Sequence, residues 1–229
     1  MSRFRQVKGD LRSILAAADW RARLGELDAW PPGILAPPLF SLRLDSDEAV
    51  RWRAVTAFGL VAGRMAEASM EKARVLMRTC MWHMNEESGN LGWGIPHFMG
   101  EAMAKNERIA LEFHKILASY IFCDEACDGN FIDHQELRRD ALWGLGRLAE
   151  VRPELVAHGE RFLLVALAES DPYNRAYAAR ALGLIGAQAA RDGLAALTGD
   201  TAPIRTFRGG EMVDTTVGAL ATEALAALG

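Results

Sequence analysis

Small and apolar residues recur along this chain in a pattern that returns about every forty positions. Four segments carry it and each ends on glycine: Val50-Arg-Trp-Arg-Ala-Val-Thr-Ala-Phe-Gly59, Leu91-Gly-Trp-Gly-Ile-Pro-His-Phe-Met-Gly100, Leu137-Arg-Arg-Asp-Ala-Leu-Trp-Gly-Leu-Gly146 and Asn174-Arg-Ala-Tyr-Ala-Ala-Arg-Ala-Leu-Gly183. A fifth, weaker copy is Val217-Gly-Ala-Leu-Ala-Thr-Glu-Ala-Leu-Ala226. The last positions of the copies are separated by 41, 46, 37 and 43 residues, which suits two helices and two turns per unit. In the first copy Val50, Ala54, Ala57, Phe58 and Val61 form one helical stripe. Asp45 or Ser46 is placed to cap this helix, and Asp171-Pro172 to start the fourth.

The helices preceding these copies are expected at 33–44, 70–84, 107–122, 153–169 and 188–197. An N-terminal capping helix is expected over 4–18 and a connector over 20–32. Each hairpin alone leaves an apolar face bare, so stacking must make the shared core. The expected architecture is all-α, a single unit over 1–229: cap and connector at 1–32, then about five helical hairpins over 33–229.

Asp171-Pro-Tyr-Asn-Arg-Ala-Tyr-Ala-Ala-Arg-Ala-Leu-Gly-Leu-Ile-Gly186 resembles the second helix of a HEAT repeat, of the short type found in phycobilin-lyase-like proteins. Residues 45–59 and 133–146 match that pattern more loosely, and the resemblance covers roughly 33–228. It implies an armadillo-type fold, a right-handed α–α superhelix whose second helices line the concave side. On function it is nearly silent, because HEAT arrays serve as scaffolds, transport receptors, lyases and some DNA glycosylases.

Counted back from the last residue of each copy, positions −9, −5, −2 and −1 are apolar or small and read as core. Positions −7 and −3 lie one helical turn apart on another face. The −7 row is Trp52, Trp93, Arg139, Ala176 and Ala219; the −3 row is Thr56, His97, Trp143, Arg180 and Glu223. With Glu101 and Arg147 at its border, the resemblance makes this a candidate concave stripe able to stack a planar ligand or hold an anion: Trp52, Trp93, His97, Glu101, Arg139, Trp143, Arg147 and Arg180. The competing reading is that the tryptophans pack between repeats. Gly92, Gly94 and Pro96 are expected to delay the second copy's helix and leave Trp93 in the loop. At position −8, Arg51, Arg138 and Arg175 read, by resemblance, as a structural ladder to aspartates of a neighbouring turn.

Three long turns should emerge on one edge, at 85–94, 122–133 and 198–215. Their candidate binding residues are Asn85, Glu86, Glu87, Asp124, Asp128, Arg205 and Arg208. In the third turn, Arg208-Gly209-Gly210 separates two β-prone runs and predicts a small β-hairpin near 204–215.

Composition narrows the chemistry. With 26 Lys+Arg against 30 Asp+Glu and 50% hydrophobic residues, the chain reads as globular and slightly acidic. The acidic balance weighs against nucleic acid and favours a protein or peptide partner, possibly a basic one. No apolar run approaches a membrane span, and the first residues lack a secretory h-region. Three cysteines without a CxxC pair suggest a reducing, cytoplasmic compartment. Cys123 and Cys127, beside Asp124, Asp128 and His134, fall short of a structural zinc set, so no metal is expected. HExxH, GxSxG and P-loop patterns are absent, which leaves no catalytic residue and no cofactor to assign. The expectation is a non-enzymatic binding scaffold. The alternatives are an alkylpurine-glycosylase-type enzyme, in which Trp93, Trp143, Asp140 and Arg139 would imitate a base site, and a tetrapyrrole-lyase-like protein.

Overall fold

The computed structural model describes residues 2–85, 92–122 and 130–229. Helix α1 (Arg3–Ala16) and the short α2 (Trp20–Arg23) cap the N-terminal end. Then come α3 (Pro32–Leu42), α4 (Glu48–Ala68), α5 (Met70–Asn85), α6 (Ile95–Lys105), α7 (Glu107–Ser119) and α8 (Gln135–Ala149). The chain continues through α9 (Glu160–Ala166), α10 (Pro172–Leu184), α11 (Arg191–Leu197), β1 (Pro203–Arg208), β2 (Glu211–Thr216) and α12 (Val217–Ala227).

Side-chain oxygens start several of these helices. Asp47 accepts from the N–H groups of Ala49 and Val50, Asn106 from Ile109, Asp171 from Tyr173 and Asn174, and Thr216 from Ala219. Asp47, rather than the expected Asp45 or Ser46, caps α4. Asp45 instead accepts from the Asp47 N–H and from Arg12 of α1.

Helices α4, α6, α8, α10 and α12 pack on one another in sequence order as an inner layer, and α3, α5, α7, α9 and α11 back them. The helical-hairpin solenoid expected from the repeats is present. The repeated glycine has a packing reason: a Cβ on Gly100 would stand 2.5 Å from the Gly144 Cα, so α6 and α8 cross where both residues are bare backbone. The core positions follow the expected register, with Val50, Ala54, Ala57 and Phe58 of α4, Ile95, Phe98 and Met99 of α6, and Ala178, Ala181 and Leu182 of α10 fully buried. Each large side chain among them contributes about 1.5–3 kcal/mol by leaving water.

Three expected elements differ. The 20–32 connector contains α2 and a 3-10 turn over Leu24–Ala29, because Trp20 is buried and holds the segment on the core. The 153–169 helix is broken into 3-10 turns at Pro153–Leu155 and Ala157–Gly159 before α9 begins. Proline without an N–H and glycine with a poor helix propensity both act there. The 188–197 helix likewise opens with a 3-10 turn, Gln188–Ala190.

The arginine ladder joins successive repeats. Arg138 reaches Glu169 at 2.7 Å and Arg175 reaches Asp200 at 2.7 Å, while Arg51 donates to its own turn at the Asp45 carbonyl. Among the described residues no helix is long and apolar enough to cross a membrane.

Candidate functional site

The insert that carries β1 and β2 decides what the inner face can do. The strands pair antiparallel with Arg208 opposite Glu211, and Gly209 (φ +58°) and Gly210 (φ +84°) supply the left-handed pair of a tight two-residue turn. In that register Phe207–Met212 and Arg205–Asp214 are non-hydrogen-bonded pairs, so their backbone polar groups point outward from the ladder. On β1 two of these groups are taken up by the solenoid. Trp143 Nε1 donates to the Phe207 carbonyl at 3.2 Å, and the Arg205 N–H donates to the Tyr173 hydroxyl at 3.2 Å.

The two faces of β1 are packed as well. Phe207 stacks on Trp52 of α4 with ring centroids 5.5 Å apart, while Ile204 joins Ala176, Val217 and Leu220 of α10 and α12 in a separate apolar cluster. The hairpin therefore stands edge-on in the groove, with β1 as its root. Ile204, Thr206 and Phe207 are buried, whereas Glu211, Val213 and Asp214 of β2 are exposed. At the tip Arg21 of α2 donates to the Gly209 carbonyl and lies 3.5 Å from Glu211, which ties the last repeat to the N-terminal cap.

This wall divides the inner face into two clefts. The first, about 380 Å³, lies between α2, the middle inner helices and the hairpin tip. Glu101 and Arg147 form its floor: Arg147 Nε lies 2.6 Å from a Glu101 oxygen, and Lys105 Nζ approaches the same carboxylate at 3.7 Å. Glu150 takes a second donor of Arg147 at 2.9 Å and also pairs with Arg180. Arg208 enters from β1 and meets Glu223 at 2.6 Å. Burial first, then the neighbouring Arg208 and Arg147, pull the Arg180 guanidinium down to about 10.

The second cleft, about 430 Å³, is lined by Trp52, Trp93, His97, Arg139, Asp140, Tyr173, Tyr177 and Arg205. Asp140 accepts from the Gly94 N–H at 2.6 Å and lies 3.3 Å from His97 Nε2. Burial lifts Asp140 to about 7, against the opposing pull of the Gly94 N–H and Arg139, and burial drops His97 to about 3. With the imidazole uncharged near neutral pH, this contact is not an ion pair, a cheaper arrangement than burying two opposite charges. Arg139 is held by Asp171 and lies over the Tyr173 ring at 4.5 Å.

The candidate stripe residues fall into three settings. Trp52, His97 and Trp143 form one ring cluster with centroids 4.4–5.0 Å apart, roofed by Phe207. Glu101, Arg147 and Arg180 belong to the first cleft; Trp93 and Arg139 belong to the second. Trp93 sits in the turn before α6, as expected, with its carbonyl taken by Arg43 at 2.8 Å. Trp143 borders the first cleft, apart from Trp93, Asp140 and Arg139 of the second, so those four do not converge on one open space. Of the loop-edge residues, Asn85 ends α5 exposed, Arg205 faces the second cleft and Arg208 the first. Glu86, Glu87, Asp124 and Asp128, with Cys123 and Cys127, lie outside the described residues.

The residues that sequence reasoning missed are Phe207, Tyr173, Tyr177 and the outward backbone of β2. The signal for Phe207 was present, since an aromatic flanked by arginines in an exposed hairpin has no reason to stay in water. Its targets, Trp52 and Trp143, lie 155 and 64 positions away and leave no local signature.

By sequence, no family model and no curated protein matches this chain. Solved structures do. A designed armadillo repeat protein superposes with a TM-score of 0.52 at 15% identity, covering 97% of this chain and 93% of that one. Computationally designed armadillo repeat proteins for modular peptide recognition give 0.50 at 15% identity, over 96% and 99% of the two chains. The archaeal HEAT-like repeats protein from Thermococcus onnurineus NA1 reaches 0.42 at 14% identity, over 96% and 80%. The chain has an armadillo-type helical repeat fold.

Proposed function

We propose that this protein is a non-enzymatic scaffold that binds an extended, basic segment of a partner protein along the outer edge of β2. One observation carries the reading. Met212 and Asp214 direct backbone N–H and C=O groups away from β1, and among the described residues nothing bonds them. A strand edge of this kind pairs readily with an added strand. Natural edges are blunted by lysine, proline or a bulge, and β2 (Glu-Met-Val-Asp-Thr-Thr) has none of these.

Charge selects the partner. A groove of about 350 Å³ runs beside this edge against the start of α4, with Asp47, Glu48 and Glu211 in its walls. Its two arginines are engaged: Arg53 donates to the Leu15 and Ala17 carbonyls, and Arg205 lies 3.4 Å from Glu48 and 3.7 Å from Asp214. Lysine or arginine side chains on every second residue of an added strand would meet Asp214 and the α4 carboxylates on one face of the hairpin, whereas Glu211 lies on the other. The armadillo neighbours designed for peptide recognition agree with a binding role at the level of fold. The odd cysteine count and the buried free thiol of Cys80 support placing this scaffold in the cytoplasm.

The test uses a labelled alternating Lys-Val octapeptide, its Glu-Val counterpart and the Asp214→Pro variant. Proline there removes one outward N–H and one carboxylate without taking a bond from the ladder. The basic peptide should bind and lose about tenfold or more in the variant, with an unchanged melting temperature. Equal binding of both peptides, or of the basic peptide to both proteins, overturns the reading.

A further inference from the structure

The first cleft has a charge imbalance that its own carboxylates do not remove. Five cations converge on it from five elements: Arg21 of α2, Lys105 of α6, Arg147 of α8, Arg180 of α10 and Arg208 of β1. Among the described residues the only acids in its walls are Glu101 and Glu150. Those two carboxylates are shared among Lys105, Arg147 and Arg180, so the inner part holds one cation more than it can neutralise. Arg208 and Arg21 stand at the mouth. Their partners, Glu223 and Glu211, have side chains 53% and 60% exposed, where water screens the pairing.

The inner guanidiniums are fixed. Arg147 and Arg180 have side chains only 19% and 13% exposed; Arg147 is pinned between Glu101 and Glu150, and Arg180 by Glu150. Holding a third positive charge beside them in a poorly solvated space is costly. Arg180 shows that cost, since both burial and the adjacent arginines disfavour its charged form. The cleft is also of ligand size, about 380 Å³, with Leu24, Trp20 and Phe207 giving one wall apolar character.

We propose that this cleft binds a small phosphate monoester. Its phosphoryl group sits among Arg180, Arg208 and Lys105, and its apolar body lies toward Leu24 and Phe207. A monoester is close to doubly charged at neutral pH and offers three acceptor oxygens in the geometry a guanidinium fork matches. The charge and the donor set both fit: one uncompensated inner cation plus the loosely held cations at the mouth call for a dianion. The site adjoins the β2-edge groove, sharing Phe207 and Gly210 with it, but Arg180, Arg208 and Lys105 do not line that groove, and the site does not depend on a protein partner.

The test is calorimetric titration of the intact protein with inorganic phosphate, phenyl phosphate and succinate, repeated on Lys105→Gln and Arg208→Gln. Both substituted side chains are at least one-third exposed, so neither change should alter the melting temperature. Phenyl phosphate should saturate one site per chain, and each substitution should weaken it by about tenfold, the worth of one charge-assisted contact. Succinate should bind less tightly. Absence of saturation by phenyl phosphate, affinity unchanged in both variants, or succinate binding as tightly would each overturn the proposal.

Discussion

The two clefts flanking the hairpin are lined by different turns of the same inner helices and treat their buried acids in opposite ways. On the side of the N-terminal cap, Glu101 is buried yet keeps two cations around it. On the other side Asp140 is buried with a backbone N–H and a neutral imidazole as its close partners, and its proton becomes hard to lose. One wall of side chains separates a buried carboxylate held among cations from one held by a backbone N–H and an imidazole. Burial alone therefore does not set the charge of a repeat-protein groove; the partner supplied by the next helix does.

The sharpest way to break this contrast is to remove the wall. Phe207→Ala deletes the ring that stacks on Trp52, and should cost about 3–5 kcal/mol in urea denaturation. A cost near zero would mean that the hairpin lies loosely over the inner face. Next, the two buried acids should differ on substitution. Glu101→Gln leaves Arg147 and Lys105 without their shared charge and should cost about 3 kcal/mol. Asp140→Asn keeps an oxygen for the Gly94 N–H and should cost about 1 kcal/mol or less at pH 7. Equal losses would erase the distinction between the clefts.

The same pair predicts opposite pH slopes. Asp140 is raised in the folded state, to about 7, so its contribution is complete at low pH and is lost as pH rises through that value. His97 is depressed, to about 3, so the unfolded chain takes up the proton first and stability falls as pH drops below the ordinary histidine range. In the wild type the two oppose each other across most of the acid range. Stability of His97→Asn should decline from about pH 4 to 7, by up to about 1.4 kcal/mol per pH unit. Asp140→Asn should show the reverse slope between about pH 3 and 6.5. Parallel profiles would show that neither group is buried as described. The smallest effect belongs to Trp143→Phe, which loses one hydrogen bond to the Phe207 carbonyl and should cost about 1 kcal/mol.

The helical stack was legible because its signals are local and repeated. Apolar stripes, capping aspartates and glycines at close crossings such as those of Gly100 and Gly183 recur along the chain, and each follows from helix geometry. The turn Gly209-Gly210 was equally legible, since two left-handed residues between β-prone runs leave few alternatives. The site was less so. Trp52, His97 and Trp143 were correctly brought onto one face by their spacing, but their register is equally compatible with an open stripe and with a covered one. What covers them is Phe207, whose partners lie 155 and 64 positions away, and no periodicity reports a contact of that range. The ion pairs that occupy Arg139 and Arg147 also depend on acids of neighbouring repeats, Asp171 of the next for the first and Glu101 of the previous for the second.

The central claim is that β1 is rooted in the groove while the β2 edge stays open, and residue-resolved amide hydrogen exchange reads this most directly. Arg205 and Asp214 are cross-strand partners with outward N–H groups, one capped by Tyr173 and the other bare. The Asp214 and Met212 amides are expected to exchange at nearly the unstructured rate, with Arg205 slower by about a hundredfold or more. Equal protection on the two strands would contradict it.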